Sequence, residues 1–183
     1  MTRPEQCITD AYRHLQRALH AQPEGYGGKG KRWAPTVAWL ARRLAAVSVL
    51  DYGCGAGTLG HALALLGVVC RDYDPAVPGK DGRPSFADLV VCTDVLEHVE
   101  PDKLPAVLTH LRELARRGLF AVVSLRPSNK TLADGRNAHL IIEPPAWWSA
   151  QLTAAGWTIA TPDDLPIPRK VSHEKQWIIV ARP

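Results

Sequence analysis

The stretch Val49-Leu50-Asp51-Tyr52-Gly53-Cys54-Gly55-Ala56-Gly57 limits what this chain can fold into more than any other part of it. Val47 to Tyr52 reads as a buried strand, and the next five residues alternate glycine with small side chains. Thr58 to Leu66 then takes up helical spacing. A strand running through a glycine turn into a helix is the start of a βαβ unit, in which the glycines permit positive φ and let a ligand approach the backbone. The acid ahead of the turn selects the ligand. Asp51 would repel a pyrophosphate set on the helix N-terminus, but it could hold the ammonium of a methionine moiety, directly or through water.

A second acid lies where such a unit needs one. Val68 to Tyr73 predicts the next strand, and Asp74 closes it 23 positions after Asp51. From there a carboxylate reaches a ribose diol in βαβ nucleotide sites. Asp74-Pro75 is also a turn sequence, and Asp51 is also a helix-capping type.

The remaining pattern extends the unit. Residues 75–87 carry three prolines and two glycines and predict loop; Asp88 to Cys92 is a strand. Residues 101–117 form a helix with Leu104, Val107, Leu108, Leu111 and Leu114 on one face, and Leu119 to Ser124 is a strand. A polar loop runs through His139. A helix from about Pro145 to Ala155 is closed by Gly156, and strands follow near Trp157 to Thr161 and Gln176 to Ala181. Strands alternating with helices predict an α/β fold, a Rossmann-like doubly wound, mostly parallel sheet with an antiparallel C-terminal strand. Such a sheet binds ligands at the carboxyl ends of its strands, where the strand order reverses.

Ahead of this core, residues 5–20 and 35–46 show helical spacing around the glycine-rich Glu24 to Gly30. Residues 1–46 therefore read as a helical lid or cap, and residues 47–183 as the core of a one-domain protein. The 183-residue length leaves no room for a second catalytic domain. Residues 1–45 hold eight Arg or Lys against three acids, within a net charge of +4, which a solvated helix explains more readily than an anionic partner such as nucleic acid. Cys7, Cys54, Cys70 and Cys92 form no Cys-x-x-Cys motif, the apolar runs are too short to span a bilayer, and the N-terminus lacks a secretory pattern. Free thiols, no membrane association and a cytoplasmic setting are expected.

The glycine turn, with Asp51 and Asp74, resembles motif I and the ribose-binding acid of class I S-adenosylmethionine-dependent methyltransferases, from about residue 47 to the C-terminus. The segment Thr93-Asp94-Val95-Leu96-Glu97-His98-Val99 is similar to the family's next landmark, as found in ubiquinone-pathway and small-RNA terminal 2′-O-methyltransferases. Tyr73 to Ala76 and Asp134 to Leu140 also resemble small uncharacterised methyltransferases of phages and bacteria. The resemblance implies S-adenosylmethionine as cofactor, with S-adenosylhomocysteine as product, held by Asp51, Gly53, Cys54, Gly55, Gly57, Asp74, Thr93 and Asp94. Tyr26 and the Lys29, Lys31 and Arg32 cluster would close over it. One departure stands out: residues 75–87 are too short for the helix, strand and adenine-contacting acid that usually fit there, which leaves the fold shortened between the second and fourth strands. Asp81 or a backbone group is the candidate adenine contact.

Methyl transfer to a hydroxyl needs the nucleophile deprotonated or metal-bound. The i, i+3, i+4 spacing of Asp94, Glu97 and His98 predicts one side of a helical turn beyond the Asp88 strand, with His139 across the cleft. In the resembled O-methyltransferases a similar Glu-x-x-Glu-His with a later His accompanies a divalent metal. That implies Asp94, Glu97, His98 and His139 as ligands of Mg²⁺, Mn²⁺ or Zn²⁺. Without metal, His98 or His139 is the candidate general base and Glu97 a supporting catalytic residue. Arg136 and Asn137 are candidate acceptor contacts, and Trp147 or Trp148 a candidate stacking surface. His14, His20, His61, His110 and His173 suggest ordinary roles. The resulting expectation is an enzyme that O-methylates a small molecule. Nucleic-acid or nucleotide methylation and a non-catalytic S-adenosylmethionine-binding regulator stand beside it, with an NAD-dependent oxidoreductase further off.

Overall fold

The computed structural model describes residues 2–22, 26–169 and 171–183; Glu24 and Gly25 of the glycine-rich segment fall outside them. Six strands form one sheet: β1 (Val49–Tyr52), β2 (Cys70–Tyr73), β3 (Ala87–Thr93), β4 (Ala115–Ser124), β5 (Thr158–Ile159) and β6 (Gln176–Arg182), in the order β2-β1-β3-β4-β6-β5. The first four pair in parallel, and β6 runs antiparallel to both β4 and β5. The predicted sheet is thus observed, including the missing strand: β2 leads to β3 through turn and loop. The order reverses between β1 and β3, and a crevice opens beyond their carboxyl ends.

Alternation along the strands divides the core. Leu119, Ala121 and Val123 of β4 face helices α4 (Leu104–Leu114) and α5 (Pro145–Ala154), where Trp148 and Trp157 are buried. Phe120 and Val122 face α2 (Ala34–Arg43) and α3 (Thr58–Ala64). This is the period-2 signature of a strand covered on both sides. None of the helices among the described residues is long and apolar enough to cross a membrane, and all four cysteines are free thiols.

Some boundaries differ from the periodicity. Ala115 to Arg117 lie in β4, not in the preceding helix, because Ala87 pairs with Ala115 and draws the chain into the sheet early. A 3₁₀ turn, Pro101–Lys103, precedes α4. The first helix starts at Asp10, where the Thr9 hydroxyl caps the Tyr12 amide at 3.2 Å; this is α1 (Asp10–His20).

The N-terminal 46 residues do two things. Helix α2 is part of the sandwich: Val37, Leu40 and Ala41 are buried, and Trp33 just before it packs edge-on against Phe120 with ring centroids 5.4 Å apart. Helix α1 instead crosses above the crevice, packing Tyr12 and Leu19, together with Ile8 just before it, against Leu132 and Ala138 of the loop after β4. Glu100 ties it down, accepting from the Thr9 amide at 2.8 Å and the Thr9 hydroxyl at 2.7 Å.

Because Trp33 is fully buried between the N-terminal segment and β4, Trp33→Ala should lower folding stability by about 3–5 kcal/mol in urea denaturation. A loss below about 1 kcal/mol would mean that this segment is not part of the core.

Candidate active site

The crevice is a cleft of about 1160 Å³ roofed by α1 and the segment 26–32. Its floor is the glycine turn. The Gly53 and Cys54 amides both donate to the Tyr73 carbonyl, at 2.7 and 3.1 Å, so the turn is fastened to the end of β2. Gly53 has φ +77°, and a Cβ there would run into the Val95 side chain. Gly55 has φ +50°, and its Cβ would lie 2.8 Å from the Gly27 carbonyl oxygen, which also accepts from the Ala56 amide at 3.2 Å. Glycine is needed at position 55 because the roof rests directly on the floor there. Gly57 serves a different purpose: it begins α3 against Asp72 and Lys80, away from the cleft wall.

Asp51 points up from this floor. It is 3% exposed, no other side chain or amide of the described residues bonds its carboxylate, and it lines the cleft. Burial, and then the nearby charges of Asp72 and Asp74, push its carboxyl up to about 8. Such a group calls for a cation. Asp74 also lines the cleft while organising the turn: one oxygen accepts from the Gly55 amide at 3.0 Å, the other from the Ala76 amide at 2.9 Å. The turn and ligand-facing readings of Asp74-Pro75 are therefore compatible. Asp81 is not in the cleft; it pairs with Arg17 at 3.1 Å. Pro75 and Ala76 line the cleft at this place instead.

Beyond β3 the chain does not make the expected α-helical face. Asp94 takes φ +56° and Leu96–His98 is a 3₁₀ turn, which separates Asp94 from the other two. Its carboxylate lines the cleft but is held by Arg32 at 2.8 Å and the Gln176 amide group at 2.7 Å, latching the roof to the starts of both β6 and the post-β3 turn. Asp94 is accordingly withdrawn from the metal-ligand set. Among the described residues the group of potential metal donors is Glu97, His98 and His139, whose donor atoms lie within 4.8 Å of one another.

Hydrogen bonding fixes the chemistry of these three. His98 Nδ1 lies 2.7 Å from the Ala138 carbonyl and His139 Nδ1 lies 2.5 Å from the Arg126 carbonyl. A carbonyl only accepts, so both Nδ1 atoms carry the proton and both Nε2 atoms present lone pairs. The rings meet edge to face at 4.6 Å. Burial, with the neighbouring His139, pushes His98 down to about 3, and burial also lowers His139. Glu97 is fully buried; one oxygen accepts from the Ser124 amide at 2.9 Å while Oε2 has no hydrogen-bond partner. Burial, reinforced by the Asp94 charge, raises its carboxyl to about 8. Tyr26 of the roof places its hydroxyl 3.0 Å from His98 Nδ1 and 3.3 Å from Nε2.

Thr93 and Cys54 also line the cleft, so of the residues predicted to hold or cover the cofactor all but Gly57, Lys31 and Asp81 do. Other expectations are revised. Arg136 pairs with Asp134 at 2.7 Å and lies over the Tyr12 ring, outside the cleft wall. The Asn137 carboxamide is occupied in holding Ser128 and His139. Trp148 is buried in the core, with Trp147 packed against the same cluster, so neither offers a stacking face in the cleft. His20, read as ordinary, lines the cleft 3.9 Å from Asp74. With Tyr12 and Gln16 it makes a stripe at four-residue intervals on α1, a periodicity that could have marked the helix as cleft-facing.

Residues 12–161 match the model of a family described as "Methyltransferase domain". A search of curated proteins with this sequence returns no match. Among solved structures, the fold is similar to the "DhpI-SAH complex structure", at 19% identity and a TM-score of 0.63, over 96% of this chain and 98% of that one. It is also similar to magnesium protoporphyrin IX methyltransferase from Synechocystis PCC 6803 with bound SAH, at 18% identity and a TM-score of 0.58, over 94% of each chain. Burkholderia thailandensis 1,6-didemethyltoxoflavin-N1-methyltransferase aligns at 19% identity and a TM-score of 0.58, over 94% of this chain and 84% of that one. With the family model covering most of the chain, including β1 and most of the residues that line the cleft, this protein belongs to the methyltransferase-domain family.

Proposed function

We propose that the protein transfers the methyl group of S-adenosylmethionine to a hydroxyl of a small molecule. The observation that carries the cofactor is the buried, unpartnered Asp51 carboxylate beneath the glycine turn, with Asp74 at the neighbouring strand end. Bound S-adenosylhomocysteine in the similar structures supports the same reading. Asp51 holds the ammonium of the methionine moiety, and Asp74 faces the ribose while keeping the turn in shape. Gly53 and Gly55 leave room for both.

The cofactor supplies an electrophilic methyl on a sulfonium; the acceptor oxygen forms the new C–O bond as the C–S bond breaks, and the hydroxyl proton must leave. With no ion in the cleft, the His139 ring, whose Nδ1 is committed to the Arg126 carbonyl, takes this proton at Nε2. His98, at about 3, is too weak a base to hold a proton at neutral pH, and a lone pair of that kind suits ligation better. Alternatively, Glu97, His98 and His139 fit a divalent ion, with His139 then a ligand and not the base: one buried Glu97 oxygen lacks a partner among the described residues, and both imidazoles are oriented by Nδ1–H bonds to backbone carbonyls, as metal-binding histidines usually are. Mg²⁺, Mn²⁺ or Zn²⁺ held there would acidify a coordinated hydroxyl. The free thiols fit a reducing, cytoplasmic setting.

Calorimetry with S-adenosylhomocysteine tests the cofactor site. Removing a charge-assisted contact at Asp51→Asn should weaken binding about 10- to 100-fold. In the wild type, a proton competes with the ammonium for Asp51 below about pH 8. Affinity should therefore rise up to about tenfold per unit from pH 6.5 toward pH 8, and the variant should lose this slope. Equal affinity in both proteins would refute the assignment.

For the metal, Glu97 is largely protonated at pH 7 in the empty site, so binding of Mn²⁺ or Zn²⁺ should release a proton into the buffer. His139→Ala should remove the tight site. An enzyme fully active after exhaustive chelation would exclude metal assistance. If S-adenosylhomocysteine bound, but labelled methyl reached no component of a metabolite extract, RNA or DNA, the non-catalytic reading would replace catalysis.

A further inference from the structure

We propose that the methyl acceptor is a small anion, carrying a carboxylate or phosphate that is held at the end of the cleft opposite Asp74 by Lys29, Arg126 and Lys175. The inference rests on the methyltransferase reading for the acceptor's fate, but its evidence is the charge layout of the cleft.

Three segments far apart in sequence meet around His139. The loop after β4 supplies Arg126, whose carbonyl holds His139 Nδ1 at 2.5 Å. The approach to β6 supplies Lys175, whose carbonyl accepts from the Leu125 amide at 2.9 Å, one position before Arg126. The roof supplies Lys29, which lines the same cleft. None of these three side chains has an ion-pair partner among the described residues.

The acids of the cleft are disposed elsewhere. Asp51 and Asp74 lie at the glycine turn, Glu100 anchors Thr9, and Asp94 is neutralised by Arg32. Of the acids near His139, Glu97 shares with it a cluster whose donor atoms lie within 4.8 Å of one another, and Asp94, whose charge also reaches His139, is paired with Arg32. The basic end therefore carries uncompensated positive charge, which a bound anion would neutralise.

The loop is also stiff before any ligand arrives. Asn137 receives the Ser128 and His139 amides at 2.9 Å each and donates to the Ser128 carbonyl at 2.8 Å, and Thr131 bridges to Asn137 across the loop. Arg126, Ser128 and Asn129 are thereby presented to the cleft from a braced backbone, which reduces the ordering cost of binding. An acceptor gripped by its anionic group at this rim would turn a neighbouring hydroxyl toward His139.

The test uses the whole chain saturated with S-adenosylhomocysteine, followed by amide NMR during titration with inorganic phosphate and, separately, sodium acetate. Saturable shifts at Ser128, Asn129 and Gln176 are expected with at least one of the two, and the stronger identifies the favoured anion. Arg126→Gln and Lys175→Gln should each weaken binding at least about threefold and the double variant about tenfold. Arg42→Gln, outside the cleft, should leave it unchanged, and all variants should bind S-adenosylhomocysteine within twofold of wild type. Absence of saturable shifts with both anions, or equal binding by the double variant, overturns the proposal. So does a single-stranded RNA oligonucleotide that displaces phosphate at micromolar concentration with a steep salt dependence, which would make the rim a nucleic-acid surface. Failure of S-adenosylhomocysteine to bind at the outset would instead count against the cofactor reading.

Discussion

The roof of this protein rests on its floor through backbone, and most of the site's geometry depends on that contact. Gly27 sets its carbonyl against the glycine turn, accepting from the Ala56 amide, at a point where only glycine at position 55 allows the two chains so close. From that point the roof segment extends Tyr26 toward His98 and Arg32 toward Asp94, and Lys29 toward the rim. Neighbouring residues of one short segment thus address three separate parts of the cleft. Contacts between side chains would tolerate substitution by adjusting rotamers; a backbone contact at 2.8 Å from a would-be Cβ has no such latitude.

The sheet was legible because its determinants are local. Apolar runs of the right length, a glycine turn and helical stripes reproduce the strand order's parallel half, and the shortage of residues between 75 and 87 foretold the absent strand. Asp51, Asp74, Glu97, His98 and His139 were legible because strand ends bring such positions to one crevice whatever the details. What failed was the fine geometry of Asp94. Spacing of i, i+3, i+4 has meaning only on an α-helix, and a left-handed residue followed by a 3₁₀ turn cancels it. Nothing in the local sequence announces that Arg32 and Gln176, 62 residues before and 82 residues after Asp94, will claim its two oxygens.

Arg136 and Asn137 illustrate a related limit. A polar loop overhanging a site looks like a set of ligand contacts, yet its hydrogen-bonding groups first have to satisfy the loop itself. Asn137 does this for Ser128 and His139, and Asp134 takes Arg136. At Arg126, by contrast, the backbone carbonyl serves the loop while the side chain has no ion-pair partner among the described residues. Sequence composition cannot make that distinction, since both kinds of residue are equally polar.

Burial gives the three titratable centres of the cleft their division of labour. Asp51 and Glu97 both sit near 8, and both are acids that desolvation and a nearby carboxylate have made reluctant to ionise. On the proposed reading, each would become fully anionic only beside a cation, an ammonium for one and a metal ion for the other, so ligand binding would itself develop the charge. His98 is shifted the opposite way by the same desolvation and stays neutral. The empty cleft consequently carries little negative charge near its reaction centre, while its rim remains positive. On the proposed reading, an anionic acceptor approaching by that rim would meet little repulsion from a protonated Glu97, and once an ion was bound the carboxylate's charge would be directed at that ion.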